Sequence, residues 1–310
     1  MEYCIVLDVG GTVIKSCSME SGSDAVPVIS YHDSMSGSCA HDIMVNLASI
    51  ITTEWKSRPL SDQLTRISVA FPGPFDYPHG ISLIKGLEKY DAIFGMSIPD
   101  SVHALLLEMT GSVELSNVPM VFMHDVDAFA IGMHTHVLES RPGRILYLAL
   151  GTGAGSAFMV DGMIVDAPYP GVPMDGWIYP LPFKDSCIDE YLSARGQSAI
   201  CKRVFGHDVP GKELDGLARN GDVRALEVFS MFGKDVLEAV GPILNDFQPD
   251  CLVMGGQISK SYSLFGVDLQ NLCDMRGIES ILEYDTSLRI IQGLAVGKRI
   301  CIGKEVIHAQ

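Results

Sequence analysis

Twice in this chain a short run of apolar and β-branched residues stops at a glycine-bearing turn and then resumes as a second strand. Residues 3–9 end in Gly10-Gly11 and the run continues over 12–18; residues 144–150 end in Gly151-Thr152-Gly153-Ala154-Gly155 and continue over 156–160. Each hairpin is followed by segments of helical period, so the natural reading is a mixed α/β protein of two similar halves. Identity between the halves is too slight to make them a sequence repeat.

The intervening pattern fills in the halves. Residues 42–56 place Ile43, Leu47, Ile50, Ile51 and Trp55 at helical spacing. A buried strand over 66–71 stops at Pro72-Gly73-Pro74, a strong loop signal. A helix is expected over 98–109, and a strand over 119–124 running into a helix over 127–138. Asp161-Gly162 supplies a hairpin turn before 163–165. Residues 167–184, rich in proline and glycine, read as irregular. The longest helix is expected over 223–247, a strand over 251–254 opens onto Gly255-Gly256, and a strand over 288–291 leads into a final helix.

Composition narrows the function classes. Of 310 residues, 38 are acidic and 22 basic, for a formal charge of -16, which opposes nucleic acid or an anionic membrane as the main partner. The longest charge-free apolar run, 145–160, is broken by glycines and falls short of the roughly 20 residues that span a bilayer. Glu2 stands where a signal peptide carries positive charge, so a cytoplasmic protein is expected. The eight cysteines are dispersed without a C-x-x-C pair, which reads as reduced thiols and offers no local zinc spacing.

Two segments have the makings of anion cradles. In Asp8-Val9-Gly10-Gly11-Thr12-Val13-Ile14-Lys15, adjacent glycines let backbone N–H groups approach an anion, Thr12 adds a hydroxyl, and Asp8 suits a hydrated Mg²⁺. The plainer reading is a hairpin turn beside an incidental acid. Gly151, Thr152, Gly153 and Gly155 repeat the physics in a matching context. Gly206 to Lys212 fits G-x-x-x-x-G-K, but Glu213 replaces the Ser or Thr of a P-loop and no strand precedes it, so it reads as a helix-ending loop. The Gly151-x-Gly153-x-Gly155 spacing is not a dinucleotide fingerprint. In His124-Asp125-Val126-Asp127, at a strand-to-helix junction, Asp127 suits a helix cap. Asp125 is either a common strand-end acid or a base that takes a hydroxyl proton.

In order along the chain, these segments resemble the ROK family of sugar kinases and sugar-responsive proteins, within the actin-like ATPase superfamily. Asp8 to Lys15 is similar to the family's D-x-G-G-T-x-x-K motif, Ala70 to Asp76 to its G-x-P-G-P-x-D loop, and His124 to Ala128 to its N-D-x-N-A segment. Leu150 to Gly155 resembles the second phosphate motif, Cys187 to Ser193 the C-L-E-x-Y-L-S segment, and Met254 to Ser259 the G-G-x-I-S turn.

The resemblance implies two RNase H-like domains flanking a cleft. The expected boundaries are 1–122, with a C-terminal helix over about 293–310 packing back on it, and 123–292 for the nucleotide-binding domain. It implies transfer of the γ-phosphoryl group of Mg-ATP to a sugar hydroxyl, with Asp125 as general base. Asp8, Gly10, Gly11, Thr12, Lys15, Gly151, Thr152, Gly153, Gly155, Gly255 and Gly256 would meet the nucleotide and its phosphates, and Pro72, Gly73, His124, Asp125, Asp175, Trp177 and Asp189 the sugar. Asp8 would help position Mg²⁺. The partners implied are a small sugar and a second copy in a homodimer, with no nucleic acid and no membrane.

The chain departs from the family at the sugar clamp. His124 replaces an Asn, and either donates to a sugar hydroxyl as Asn would or is a packed strand-end histidine. The family's G-E-x-G-H segment falls on Pro173-Met174-Asp175-Gly176-Trp177, with Met174 on the Glu and Trp177 on the His; a one-residue slip lets Asp175 stand in for the Glu. Trp177 either walls the sugar ring or fills volume. Asp189 replaces a Glu, and the cysteine-rich zinc motif is absent apart from Cys187, so no structural zinc is expected and the sugar is expected not to be plain glucose. The alternative is a non-catalytic, sugar-sensing ROK protein. That alternative is disfavoured by the absence of a DNA-binding domain ahead of the first strand and by the retained Asp125 and both phosphate loops.

Overall fold

The computed structural model describes residues 1–20, 26–59, 61–86, 88–296 and 301–302. The chain divides into two compact units: Met1–Glu139 with the last helix from Ser287 onward, and Ser140–Thr286 with Cys301–Ile302.

In the first unit, β1 (Glu2–Val9) is the central strand because Tyr3 to Val9 are apolar or, at Asp8, paired, and all are buried. Such a continuous run suits a strand covered on both faces. It pairs antiparallel with β2 (Val13–Glu20), which pairs antiparallel with β3 (Ser30–Asp33). After α1 (Ala40–Lys56), β4 (Gln63–Ala70) returns parallel to β1. The short hairpin β5 (Phe75–Asp76) and β6 (Ile81–Ser82) and helix α2 (Ile98–Thr110) lead to β7 (Met120–Met123), parallel to β4, and then to α3 (Asp125–His136). The sheet order is β3-β2-β1-β4-β7.

The second unit repeats this scheme. Strands β8 (Arg144–Leu150), β9 (Ala154–Val160) and β10 (Met163–Val165) form the antiparallel ribbon. Asp161 (φ 49°) and Gly162 (φ 81°) make the expected tight turn. A short hairpin, β11 (Pro182–Phe183) and β12 (Ser186–Cys187), is followed by α4 (Ile188–Tyr191), α5 (Ala194–Phe205), α6 (Gly211–Arg219) and α7 (Val223–Phe247). Then β13 (Cys251–Gly255) lies parallel to β8. After α8 (Tyr262–Phe265) and α9 (Val267–Arg276), β14 (Glu279–Leu282) lies parallel to β13. The order β14-β13-β8-β9-β10 is that of the first sheet, extended by β15 (Cys301–Ile302) beside β10. Two RNase H-like α/β units of the same topology are thus present, and the two glycine turns occupy equivalent places, between first and second strands.

Three expectations differ. Residues 288–291 are not a strand but lie inside α10 (Thr286–Val296), and the edge strand is β14. A short apolar run cannot be assigned by periodicity alone, and here Ile290, Ile291 and Leu294 bury a helical face. The helix expected over about 293–310 begins earlier, at Thr286; residues 297–300 and 303–310 lie outside the described residues, and Cys301–Ile302 are extended. The unit boundary falls after α3, at Glu139, rather than at 122. Helices α3 and α10 explain that placement. A methyl at Gly132 would collide with the Arg289 carbonyl, and one at Gly293 with the Ala128 carbonyl, so the backbones touch through two glycines within the first unit.

Substituting Gly132→Ala or Gly293→Ala should therefore destabilise the protein by about 1–3 kcal/mol, the usual range for overpacking. Chemical denaturation reads this directly; an unchanged midpoint would mean the helices can separate without cost.

Candidate active site

The antiparallel register places Asp8 directly opposite Lys15, and the side chains meet at 2.8 Å. Asp8 is 6% exposed. Burial raises its pKa; the Lys15 ammonium pulls it back, and the charge of Asp125 raises it further. Asp8, Lys15 and Asp125 therefore belong to one electrostatic site within the first unit.

The turn beside them has its polarity sorted. Gly10 donates its N–H to the Val13 carbonyl at 3.0 Å. The three carbonyls are each engaged by outside donors: Gly10 O by the Tyr90 hydroxyl at 2.8 Å, Gly11 O by the Ser34 and Ser36 hydroxyls at 3.0 and 2.6 Å, and Thr12 O by the Ser34 amide at 3.0 Å. The N–H groups of Gly11 and Thr12 make no hydrogen bond with the described residues. Two adjacent free amides on a turn fixed from its carbonyl side form an anion cradle. Ser34, Ser36 and Tyr90 were not singled out in the sequence, and nothing local marks them, since they reach the turn through the fold.

Asp125 is the first residue of α3, two residues earlier than the sequence pattern placed the helix. Its side chain is half exposed, and Oδ1 accepts from the Val126 amide at 2.9 Å with His124 Nε2 at 3.4 Å. Oδ2 makes no hydrogen bond with the described residues. The N-cap position is His124, not Asp127, and no side chain caps this helix. His124 is buried, its ring edge-on to Tyr77 with centroids 6.0 Å apart. Tyr77 in turn donates to the Phe71 carbonyl at 3.0 Å, just before the Pro72-Gly73 loop.

In the second unit, the loop from Gly151 to Gly155 closes with the Gly151 amide on the Gly153 carbonyl at 2.9 Å. Asp189 accepts from the Ala154 amide at 2.8 Å and pairs with Arg195, whose guanidinium also donates to Thr152 O at 3.2 Å and reaches Glu190 at 3.1 Å. In this structure the polar contacts of Asp189 are to the loop and its arginine, so it braces the loop. Gly256, at φ 90°, sits against the Leu150 carbonyl where a Cβ would collide, and its N–H donates to Thr286 at 2.7 Å. Beside these turns is a cavity of about 690 Å³ lined by Gly151, Thr152, Gln197, Lys212, Gln257 and Lys260, among others. That volume suits a nucleoside. Gly206 does end α5, as its left-handed φ of 82° allows, yet Lys212 further along the same stretch faces this cavity.

Asp175 adopts φ 56° and is exposed, Met174 is 74% exposed, and the Trp177 and Tyr179 rings lie 5.6 Å apart. Tyr179 is shifted up in pKa by burial and then by the charges of Asp189 and Asp175. Among the described residues no group of three or more His, Cys, Asp or Glu is placed to hold a metal ion, and no helix is long and apolar enough to cross a membrane.

A carboxyl whose folded pKa exceeds its unfolded one contributes fully to stability below the unfolded value, about 3.9 for Asp, and loses that contribution as pH rises through the folded value. Asp8→Asn should therefore gain Tm relative to the wild type as pH is raised from about 4 to about 7. Calorimetry across that range checks it, and a difference that stays flat or reverses would show that the Lys15 pair outweighs burial.

Comparison with known proteins gives a consistent picture. The family model described as "ROK family" matches residues 4–276. N-acetyl-D-glucosamine kinases of Haemophilus influenzae and Photobacterium profundum are 25% and 26% identical, over 59% and 61% of this chain and 73% and 75% of theirs. A ROK family glucokinase from Streptomyces griseus, solved with glucose and AMPPNP, superposes with a TM-score of 0.70 at 14% identity, covering 96% of this chain and 99% of that one. With its motifs in order on two units of one topology, and a family model that spans most of its length, the chain belongs to the ROK family.

Proposed function

We propose that the protein is an ATP-dependent sugar kinase in which Asp125 is the general base. The observation that carries this reading is the first unit's arrangement: a cradle with two outward amides, a buried carboxylate–lysine pair beside it, and an acid with one oxygen uncommitted, all in one electrostatic site. The relatives named N-acetyl-D-glucosamine kinases support phosphoryl transfer to a sugar.

In this reading Asp125 Oδ2 takes the proton of the sugar hydroxyl, whose oxygen attacks the γ-phosphorus as the bond to ADP breaks. The Val126 amide and His124 hold Oδ1, which fixes the direction of Oδ2. The cradle amides of the first unit meet phosphate oxygens, and the cavity and braced loop of the second unit receive the nucleoside and its phosphates. A buried acid near a second carboxylate fits Mg²⁺, which typically takes one or two carboxylates and completes its shell with water and phosphate. The ion would neutralise phosphate charge. In this reading Pro72, Gly73 and His124 are the sugar contacts of the first unit and Asp175 and Trp177 those of the second, while Asp189 braces the second unit's loop. Met174 and Trp177 are not zinc ligands, and no structural zinc belongs to this reading. The exposed Met174 and the Trp177–Tyr179 pair favour a substituted sugar over plain glucose.

The test is ADP release from Mg-ATP over hexoses, amino sugars, N-acetylated sugars and glycosides. Asp125→Asn should lower kcat by about 10²–10⁴-fold with the fold intact; appreciable residual turnover removes Asp125 as the base. Trp177→Ala should raise the sugar KM about tenfold and leave that for ATP unchanged. Sugar binding without turnover in the wild type would favour a sensor.

A further inference from the structure

The first cradle has an electrostatic problem that its motif residues do not solve. Lys15 is committed to Asp8, so the pair is neutral, and Asp125 adds a negative charge. Apart from the Mg²⁺ of the kinase reading, a polyanionic phosphate chain arriving at the Gly11 and Thr12 amides would meet a net negative site, and a fixed cation of the chain would add to that ion's neutralisation. One further cation is at hand. The Lys89 side chain lies across Gly11: a methyl group at that glycine would be 3.1 Å from Lys89 Nζ and 2.8 Å from Cδ. Lys89 forms no ion pair with the described residues.

The backbone that presents Lys89 is unusual. Its neighbours Glu88 and Tyr90 both have left-handed φ, 58° and 61°, a conformation costly for side-chain-bearing residues and kept only where the surroundings enforce it. The enforcement is tied to the cradle. Tyr90 is fully buried, its hydroxyl donates to Gly10 O at 2.8 Å, and its amide donates to Ser36 O at 2.7 Å, while Ser36 itself holds Gly11 O. Glu88 is fixed by its amide on Asp91 at 3.1 Å. The same bonds that turn the carbonyls away from the anion thus aim a lysine at it.

We propose that Lys89 is a phosphate-contacting residue of this site, its ammonium supplying with the Gly11 and Thr12 amides the positive half of a binding site for the terminal phosphates of a tri- or polyphosphate chain. A side chain at Gly11 would push the lysine away from the turn. The proposal rests on the kinase reading only for the identity of the anion.

Two measurements separate the proposals. Calorimetric binding of inorganic tripolyphosphate should weaken about tenfold in Lys89→Gln and be largely restored in Lys89→Arg, which keeps the charge. In turnover, Lys89→Gln should lower kcat about 10- to 100-fold with the sugar KM unchanged. Equal tripolyphosphate affinity in wild type and Lys89→Gln, or no binding by the wild type, would overturn the assignment. A wild type that binds tripolyphosphate through Lys89 yet phosphorylates no sugar would leave Lys89 in place and remove the kinase.

Discussion

Everything at the first site depends on where three carbonyl oxygens point. A turn offers an anion as many carbonyls as N–H groups, so it attracts phosphate only if its carbonyls are occupied elsewhere. Here Tyr90, Ser34 and Ser36 take those of Gly10, Gly11 and Thr12, and the amides of Gly11 and Thr12 are left as the free groups of the turn. Remove these donors and the same glycines become an ordinary hairpin turn. The buried Asp8 is a consequence of the same construction: it is held at the strand end against its own solvation preference, with Lys15 returning part of the cost.

The second unit meets the corresponding problem with different chemistry. Its loop is braced by charge, with Asp189 on the Ala154 amide and Arg195 joining Asp189 to Thr152 O. Equivalent turns on sheets of equal topology are thus fixed by hydroxyl and tyrosine donors in one half and by an acid–arginine pair in the other. The topology sets where a loop sits; the side chains that hold it are chosen separately, as sites grafted on a common fold generally are.

Much of this was legible in the chain. The hairpins, the helices over 42–56, 98–109 and 223–247, and the Asp161-Gly162 turn have strong local signals, namely uninterrupted buried runs, a sustained 3.6 period or a glycine at a left-handed position. The run Leu288-Arg289-Ile290-Ile291 was too short to distinguish strand from helix, and Glu279–Leu282, half-buried at a sheet edge, carried too weak a pattern to be seen. Within the site, the motif residues Asp8, Gly10, Gly11, Lys15 and Asp125 announce themselves by spacing. Lys89, Tyr90, Ser34 and Ser36 do not, because each is polar in a loop, where polar residues are commonplace.

By itself the sequence determined two half-sheets, each opened by a strand and a glycine turn, because β-branched runs and adjacent glycines admit few other conformations. Only the tertiary structure decided which donors reach the turns, that Asp189 grips a loop, and that Lys89 lies over Gly11. Those are contacts between residues as many as 80 positions apart, as between Tyr90 and Gly10, and they form only once the sheet has brought the segments together. Local propensity fixes conformation over a few residues; the direction in which a hydrogen bond is spent is settled by whichever partner the fold delivers.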